Sequence, residues 1–304
     1  MTTVALVKGD DRRENIRKAL ENIRDDIDIK GRRPVIKVNF VSTHQPLCAT
    51  HVDATRAVVE FLKDLGEQNI VVAEGATFGT TSRGFREYGY LELAKEHDLE
   101  LVDLNDPDSW KAVYVIHPDM KPHTVKLAQL MVDEDNFIIS LTPPKSHLQV
   151  GVTLTAKNVI MGSIMIMDKV RMHPSEAGNR MLDYNLFTVM QHLHIDLSVV
   201  DGFEGMEGNG PLYGTPVDHR VAVAGTDYLA VDRVGAEIMG ADFDDVRYLN
   251  YLWDLGFGEG DLDNIEVVGD RIEECRKVYK MSHRFLKMRR QERKGVYQDI
   301  AVDA

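Results

Sequence analysis

Cysteine is scarce in this chain, because the 304 residues include only Cys48 and Cys275. Two cysteines argue against a disulfide framework, and they leave neither a CxxC pair nor a ligand set for an iron–sulfur cluster. We therefore expect no iron–sulfur cluster within this chain. The sequence does not define any other cofactor, although it is compatible with a divalent cation.

Long apolar runs are also missing. None approaches the roughly 18–20 residues that a membrane-spanning helix needs. The first residues of the chain contain no basic region followed by an apolar core, which is the pattern of a signal peptide. These two features predict a cytoplasmic protein that does not have a membrane as its partner.

Positive charge is in deficit overall, since 36 Lys and Arg face 49 Asp and Glu and the net charge is −13. Nucleic-acid phosphates need clustered Lys and Arg, so this balance argues against a nucleic-acid partner. Residues 276–294 are the exception, with nine basic residues and one acidic residue, which leaves −21 on the rest of the chain. We expect a basic C-terminal helix and tail over 276–304. It either docks on the body through Val278, Phe285 and Leu286 or reaches a neighbouring subunit of a homo-oligomer or an acidic partner.

Strand-like and helical segments alternate from the start of the chain. Periodicity predicts a strand at 4–7, a helix beginning near Asp10 or Asp11, a strand at 35–41 and a helix at 52–65. This alternation predicts an α/β fold with a mostly parallel twisted sheet and helices on both faces, in three layers. Further strands are predicted at 70–73, 99–104, 112–116, 125–130 (strand or helix), 137–141, 197–200, 220–223 and 265–268, and further helices at 91–97, 181–195 and 227–239.

The chain has no Pro/Gly-rich linker, so one α/β domain over residues 1–275 is the simplest organisation. Residues 143–218 are compatible with a lobe of that domain.

Polar residues leave the end of the predicted strand at 137–141. Lys145 and His147 follow it directly, and Lys157 and Asn158 come at what looks like a helix start, with Thr153 or Thr155 as its N-cap. Ligands of α/β sheets bind at strand ends, and a helix N-terminus flanked by lysines attracts a carboxylate or phosphate. The alternative is that these lysines are solvated at the surface.

Lys37 and Asn39 alternate within an apolar strand, so they share one face. Burying a lysine there is costly unless it is paired, so it either pairs with a carboxylate or faces a cleft that binds an anion. Glu74 stands at the C-terminal end of the next predicted strand.

The segment 201–211 mixes glycines with acidic residues. Asp201 and Glu204, together with Asp232 in a predicted helix, could bind a divalent cation through oxygen ligands, and Glu207 could act as a general base. Gly208, Asn209 and Gly210 would let a ligand approach the backbone. The segment matches no EF-hand, P-loop or GxGxxG pattern, and the alternative is an ordinary acidic turn.

Taken together, several short motifs resemble the DUF362 family of uncharacterised α/β proteins. They are Lys37-Val38-Asn39-Phe40 with Thr50-His51, Val72-Ala73-Glu74-Gly75-Ala76, Pro144-Lys145-Ser146-His147, Ala156-Lys157-Asn158-Val159-Ile160-Met161-Gly162, Asp201-Gly202 through Glu207-Gly208-Asn209-Gly210-Pro211, Gly225-Thr226-Asp227 with Ala230-Val231-Asp232, Met239-Gly240, and the glycines near Gly256-Phe257-Gly258. Some members of that family carry ferredoxin-like iron–sulfur segments, which implies redox chemistry near part of the family. This chain departs there, because two cysteines cannot hold such clusters. The resemblance does reinforce Lys37, Lys145, Lys157 and the segment 207–211 as the marked positions.

These observations favour an enzyme that acts on an anionic small molecule bearing a carboxylate or phosphate. Lys37, Lys145 and Lys157 would hold the anion, and His147 or Glu207 would transfer a proton. Asn39, Glu74, Asn158, Gly208, Asn209 and Gly210 complete the predicted binding residues. Two alternatives stay open, a non-catalytic ligand-binding protein and a redox protein that works with an external iron–sulfur or organic cofactor partner.

Overall fold

A computed structural model gives the fold and describes residues 1–105, 109–117, 119–173 and 179–293. The strands are β1 Thr2–Lys8, β2 Arg33–Lys37, β3 Val71–Glu74, β4 Glu100–Asp103, β5 Trp110–Ile116, β6 Pro122–Ala128, β7 Asn136–Thr142, β8 Lys145–His147, β9 Gly151–Thr153, β10 Leu197–Asn209, β11 Tyr213–Gly225 and β12 Ile265–Gly269. The helices are α1 Arg12–Asn22, α2 Val52–Asp64, α3 Thr81–Glu87, α4 Tyr90–His97, α5 Thr155–Ser163, α6 Lys169–Met172, α7 Asn179–Met190, α8 Tyr228–Ile238, α9 Arg247–Asp254, α10 Ile272–Cys275 and α11 His283–Arg293.

The main sheet has the strand order β12-β1-β11-β10-β7-β2-β3-β4, with the short β8–β9 hairpin attached to β10. Every neighbouring pair along that order is parallel except β1–β11 and β11–β10. The prediction of a mostly parallel sheet is therefore confirmed.

Helices cover both faces of the sheet, which gives the three layers that the sequence predicts. Alternate residues of one strand point into different cores, as Val35 and Ile36 of β2 do. One core contains the apolar sides of α1, α2 and α4, and the other contains those of α5, α7, α8 and α9.

Helix boundaries follow the local signals in several places. Asp11 caps α1 by accepting a hydrogen bond from the amide of Glu14, and Asp227 caps α8 in the same way. Gly66 and Gly240 adopt positive φ directly after the C-caps of α2 and α8, the position where glycine is favoured.

The segment 201–211 differs from its prediction. The sequence predicts a strand that ends at Val200 and is followed by a glycine-rich loop, whereas β10 continues to Asn209 and forms a long antiparallel ribbon with β11. A bulge lies between Gly202 and Glu204, and it explains how the glycines fit within a strand. Periodicity missed the extension because glycine and acidic residues are depleted in strands and signal turns.

Of residues 125–130, predicted as strand or helix, 125–128 form the end of strand β6, which pairs with β5 in a separate two-stranded sheet, and 129–130 begin a short 3-10 helix. Val113, Val115, Val125 and Leu127 of this hairpin join the core on the α5 and α7 face. The side chain of Asn185 in α7 binds both the amide and the carbonyl of Ile116, which fastens the edge of β5.

The C-terminal basic segment packs on its own chain. Phe285 is buried, as expected, and its ring lies against Gly151, whereas Val278 and Leu286 are exposed and do not dock as predicted. Arg289 is buried instead and forms an ion pair with Asp183 of α7 (3.0 Å). The part of the predicted tail beyond residue 293 lies outside the described residues.

No helix among the described residues is long and apolar enough to cross a membrane.

Candidate functional site

The predicted lysines lie close together at the point where the strand order of the sheet reverses. Strands β2, β3 and β4 follow one another outward, whereas β7 returns to the opposite side of β2. Lys37 is the last residue of β2, Glu74 is the last of β3, and Lys145 follows β7 after two prolines. Ligands of open α/β sheets bind at such a switch point, outside the carboxyl ends of the strands.

Lys37 forms a buried ion pair with Glu74, and its ammonium also donates to Asn158 Oδ1 (3.1 Å). Both charged side chains are almost inaccessible to solvent. Burial lowers the pKa of Lys37, while the charge of Glu74 raises it. Because the pair is shielded from water, each charge depends on the other for compensation, and removing either would leave a buried charge without a partner.

Asn39 and Lys145 continue this chain of hydrogen bonds. Asn39 donates from Nδ2 to Asn158 Oδ1 (3.1 Å) and accepts at Oδ1 from the Lys145 ammonium (2.8 Å). The Asn158 amide is oriented by donating to the Lys37 carbonyl and to Ser140 Oγ (both 3.1 Å). We call Lys37, Asn39, Glu74, Lys145 and Asn158 the inner network.

Lys157 lies beside this network on α5, only 4% exposed. Its ammonium makes no hydrogen bond to any part of the chain that the structure describes. Burial lowers the pKa of Lys157 to about 7, and the charge of Asp183 opposes that shift. Burial likewise lowers the pKa of Lys145 to about 7, with repulsion from Lys157 and Lys37 adding to it.

Two histidines lie close enough to Lys157 that its charge lowers their pKa. Burial is the largest cause for both, and it lowers the pKa of His147 well below 6.5 and that of His173 to about 4. Nearby, Thr153 Oγ1 is buried and, among the described residues, has no hydrogen-bond partner. We call His147, Thr153, Lys157 and His173 the outer group.

Lys169 belongs to this cluster although it was not predicted from the sequence. It is buried, and its ammonium donates hydrogen bonds to the Gly75 carbonyl and to Thr77 Oγ1 (3.3 Å). Burial lowers its pKa to about 8. The signal available in the sequence was a lysine that closely follows the segment 161–167, in which five of seven residues are methionine or isoleucine. His173 was also missed as a site residue, because a single histidine in a sequence is usually exposed or structural.

The N-terminus of α5 is occupied by the chain's own carboxylate, contrary to the prediction that it binds an external anion. Asp232 of α8 accepts hydrogen bonds from the Thr155 amide (2.8 Å), the Thr155 hydroxyl (2.6 Å) and the Ala156 amide (3.0 Å). The predicted N-cap, Thr153 or Thr155, is therefore wrong, since Leu154 holds that position without a side-chain bond. Burial raises the pKa of Asp232 to about 7.

The three predicted metal ligands lie on two faces of the sheet. Asp201 forms an ion pair with Arg12 of α1 (3.2 Å), Glu204 is exposed nearby, and Asp232 is on the α5 face. Among the described residues no three His, Cys, Asp or Glu side chains are grouped as metal ligands. Binding of a divalent cation by Asp201, Glu204 and Asp232 therefore stays a prediction from the sequence, and the contacts of these residues do not support it.

Glu207, Gly208, Asn209 and Gly210 contact other segments than the lysines. Glu207 accepts from the Lys280 amide (2.9 Å), and the Gly208 amide donates to the Lys280 carbonyl (2.7 Å). Asn209 Oδ1 accepts from Ser282, and the Gly210 carbonyl accepts from the Leu148 amide (3.1 Å). This end of the ribbon fastens the β8–β9 hairpin and the C-terminal segment, and so supports the site from outside.

The fold and this geometry define an α/β protein with a buried cationic cluster at the switch point of its sheet. The chain belongs to the family described as Domain of unknown function (DUF362), whose model matches residues 35–237. That range contains the inner network, the outer group and Asp232.

A named relative is the thylakoid-associated protein sll1697 of Synechocystis sp. (strain ATCC 27184 / PCC 6803 / Kazusa). It is 28% identical to this chain over 219 residues, which are 70% of this chain and 64% of the relative. The match thus spans less than two thirds of the relative's own length.

Proposed function

We propose that this protein binds an anionic small molecule, a carboxylate or a phosphate, between Lys145 and Lys157, and acts on it as an enzyme. The observation that carries the proposal is the excess of buried positive charge. Among the described residues, Lys37, Lys145 and Lys169 lie around the carboxylate of Glu74, which is already paired with Lys37, and Lys157 lies beside Lys145.

The other buried carboxylate near Lys157 does not supply the missing charge. Asp183 forms an ion pair with Arg289 at 3.0 Å, and Lys157 lies beyond ion-pair distance from it. Oriented ammonium groups in a site of low dielectric bind an anion strongly because water competes poorly there. His147 is the group best placed to exchange a proton with the bound molecule, since it adjoins both lysines.

Anion binding and proton uptake are coupled in this proposal. Without an anion, burial holds the pKa of Lys145 and of Lys157 at about 7, so both are mostly neutral at pH 8. A bound negative charge favours the ammonium form of each lysine and raises its pKa. Binding at pH 8 should therefore draw protons from the buffer.

Isothermal titration calorimetry with inorganic phosphate and with oxalate at pH 8, in two buffers of different ionisation enthalpy, tests this. We expect proton uptake and a binding constant that Lys145→Met or Lys157→Met weakens roughly tenfold to a hundredfold, because a hydrogen bond to a charged group contributes about 1.5–3 kcal/mol. The matched control is Lys287→Met on the exposed side of α11. Binding that is equally strong in all variants would contradict the proposal.

The cytoplasmic location and a homo-oligomer stay predictions. The named relative is thylakoid-associated, so cell fractionation is the direct test of location for this chain, and light scattering on the purified protein measures its oligomeric state.

A further inference from the structure

Lys157 differs from the other three buried lysines in what its nitrogen contacts. Lys37 binds Glu74, Lys145 binds Asn39, and Lys169 binds the Gly75 carbonyl. Those contacts use the ammonium hydrogens to hold the fold together. Among the described residues the Lys157 nitrogen has no such partner, so it is the lysine of the cluster that is free to react.

We propose that Lys157 is a nucleophilic amine that condenses with the carbonyl group of a small oxo acid to form a Schiff base, while Lys145 holds the carboxylate of that acid. The inference rests on the proposed anion site and names its class of substrate. A lysine becomes a nucleophile when it is desolvated or placed next to another cation. Both conditions hold here, because Lys157 is 4% exposed and lies beside Lys145.

The backbone explains why these two lysines are neighbours. Lys145 in β8 pairs with Thr153 in β9, and α5 begins two residues later at Thr155. Asp232 holds that first turn of α5 from the side, which fixes the direction from which Lys157 leaves the helix. The Thr153 hydroxyl, which is buried without a partner among the described residues, lies on the same hairpin and offers a hydrogen bond to a ligand.

The two histidines of the outer group have complementary hydrogen-bonding roles. His147 Nδ1 accepts from the amides of Gln149 (3.1 Å) and Val150 (3.3 Å), so its proton is on Nε2. His173 Nδ1 lies 3.1 Å from the Lys169 carbonyl, which can only accept, so its proton is on Nδ1 and its Nε2 carries a lone pair that no described residue engages. One ring is thus a donor toward the carbonyl oxygen, and the other is an acceptor for the amine hydrogen.

The condensation balances without a further reactant. The lone pair of the Lys157 nitrogen forms a bond to the carbonyl carbon, and one electron pair of the C=O bond moves to oxygen. Both amine hydrogens then leave with that oxygen as one water molecule, and a C=N bond remains. His147 and His173 assist the proton transfers between nitrogen and oxygen.

Reductive trapping tests the proposal on the full chain. The protein is incubated with glyoxylate and sodium cyanoborohydride at pH 7 and then mapped by peptide mass spectrometry. Trapping adds the mass of the oxo acid less one oxygen atom. At pH 7 an amine with a pKa of about 7 is neutral in a roughly thousandfold larger fraction than an exposed lysine with a pKa near 10.4. Lys157 should therefore be modified first, before the exposed Lys287.

Glycolate, which has the carboxylate but no carbonyl, separates the two proposals by calorimetry. Glyoxylate trapped on Lys157, with glycolate bound, supports the Schiff base. Glycolate that binds while Lys157 stays unmodified overturns the Schiff base and leaves the anion site in place. If glycolate, oxalate and phosphate all fail to bind and nothing is trapped, both proposals fall.

Two variants complete the test. Lys157→Arg keeps the charge but cannot form an imine, so its peptide should stay unmodified while the Lys287→Arg control is trapped like the parent. If Lys157→Arg does not fold, Lys157→Met replaces it. The peptide map of the parent assigns the modified lysine in either case, and modification of Lys145 or Lys169 ahead of Lys157 overturns the assignment.

Discussion

The inner network and the outer group both contain buried lysine, yet the hydrogen bonding of that lysine differs between them. In the inner network each polar side chain has a partner: Lys37 binds Glu74, Lys145 binds Asn39, and Asn158 binds Lys37 and Asn39. In the outer group the Thr153 hydroxyl has none among the described residues, and the Lys157 ammonium donates to none of them. Buried polar groups are normally satisfied, so each one that is not satisfied calls for an explanation.

This difference separates structural from binding roles within one cluster. A fully paired network fixes the strand ends relative to α5, whereas unpaired groups reduce stability and are retained for what they bind. Substitutions in the inner network should therefore lower the free energy of unfolding, whereas replacing the unpaired lysine of the outer group should raise it.

The largest effect is expected from breaking the ion pair of the inner network. Glu74→Gln leaves the Lys37 ammonium buried without a countercharge, and such a loss costs about 3–5 kcal/mol. Urea unfolding measures it. Glu96→Gln is the matched control, because Glu96 is exposed in its ion pair with Arg56 and its removal should change little. Equal stability of the two variants would show that the Lys37–Glu74 pair contributes no more than a surface contact.

The next effect concerns Asp232, whose carboxylate binds the start of α5, the helix that carries Asn158 of the inner network and Lys157 of the outer group. Asp232→Ala leaves two amides and one hydroxyl of α5 without their acceptor, and we expect a loss of about 1–3 kcal/mol in the free energy of unfolding. Asp11→Ala, which removes a cap at the exposed start of α1, should cost about 1 kcal/mol. A smaller loss for Asp232→Ala than for Asp11→Ala would contradict the role assigned to Asp232.

Removing the unpaired amine should stabilise the protein. Lys157→Met takes a desolvated amine out of the interior without breaking a described hydrogen bond, and a gain of about 0.5–2 kcal/mol at pH 7 is expected. Lys145→Met is the counterpart in the inner network, and it should lower stability because Asn39 Oδ1 loses its donor. Thermal melting of both variants decides whether the two lysines differ as the hydrogen bonds indicate.

The last effect is a dependence of the free energy of unfolding on pH. In the unfolded chain Lys157 has a pKa near 10.4, whereas in the fold, among His147, His173, Lys145 and Asp183, it is about 7. Between these values the unfolded state binds more protons, so stability rises with pH, by at most about 1.4 kcal/mol per pH unit for one lysine. Denaturation midpoints at pH 7, 8 and 9 should rise in the parent and rise less in Lys157→Met. Parallel curves would refute the lowered pKa of Lys157.

Local patterns predicted most strands and several caps, because amphipathic periodicity and capping residues act over a few neighbouring positions. They also predicted that Lys37 and Asn39 share a face, which their common contact with Asn158 confirms. They failed over 201–209, where pairing with β11 overrides the turn signal of the glycines.

The sequence by itself determined that this chain forms a three-layer α/β fold with lysines at strand ends, since periodicity and residue type suffice for that. Only the tertiary structure decided which lysines are paired and which is not, and that Asp232 rather than an external anion occupies the start of α5. It also brought His173 and Lys169 into the cluster. The physical reason is that hydrogen-bond partners here lie up to 121 residues apart, as Lys37 and Asn158 do, and no local pattern encodes their meeting.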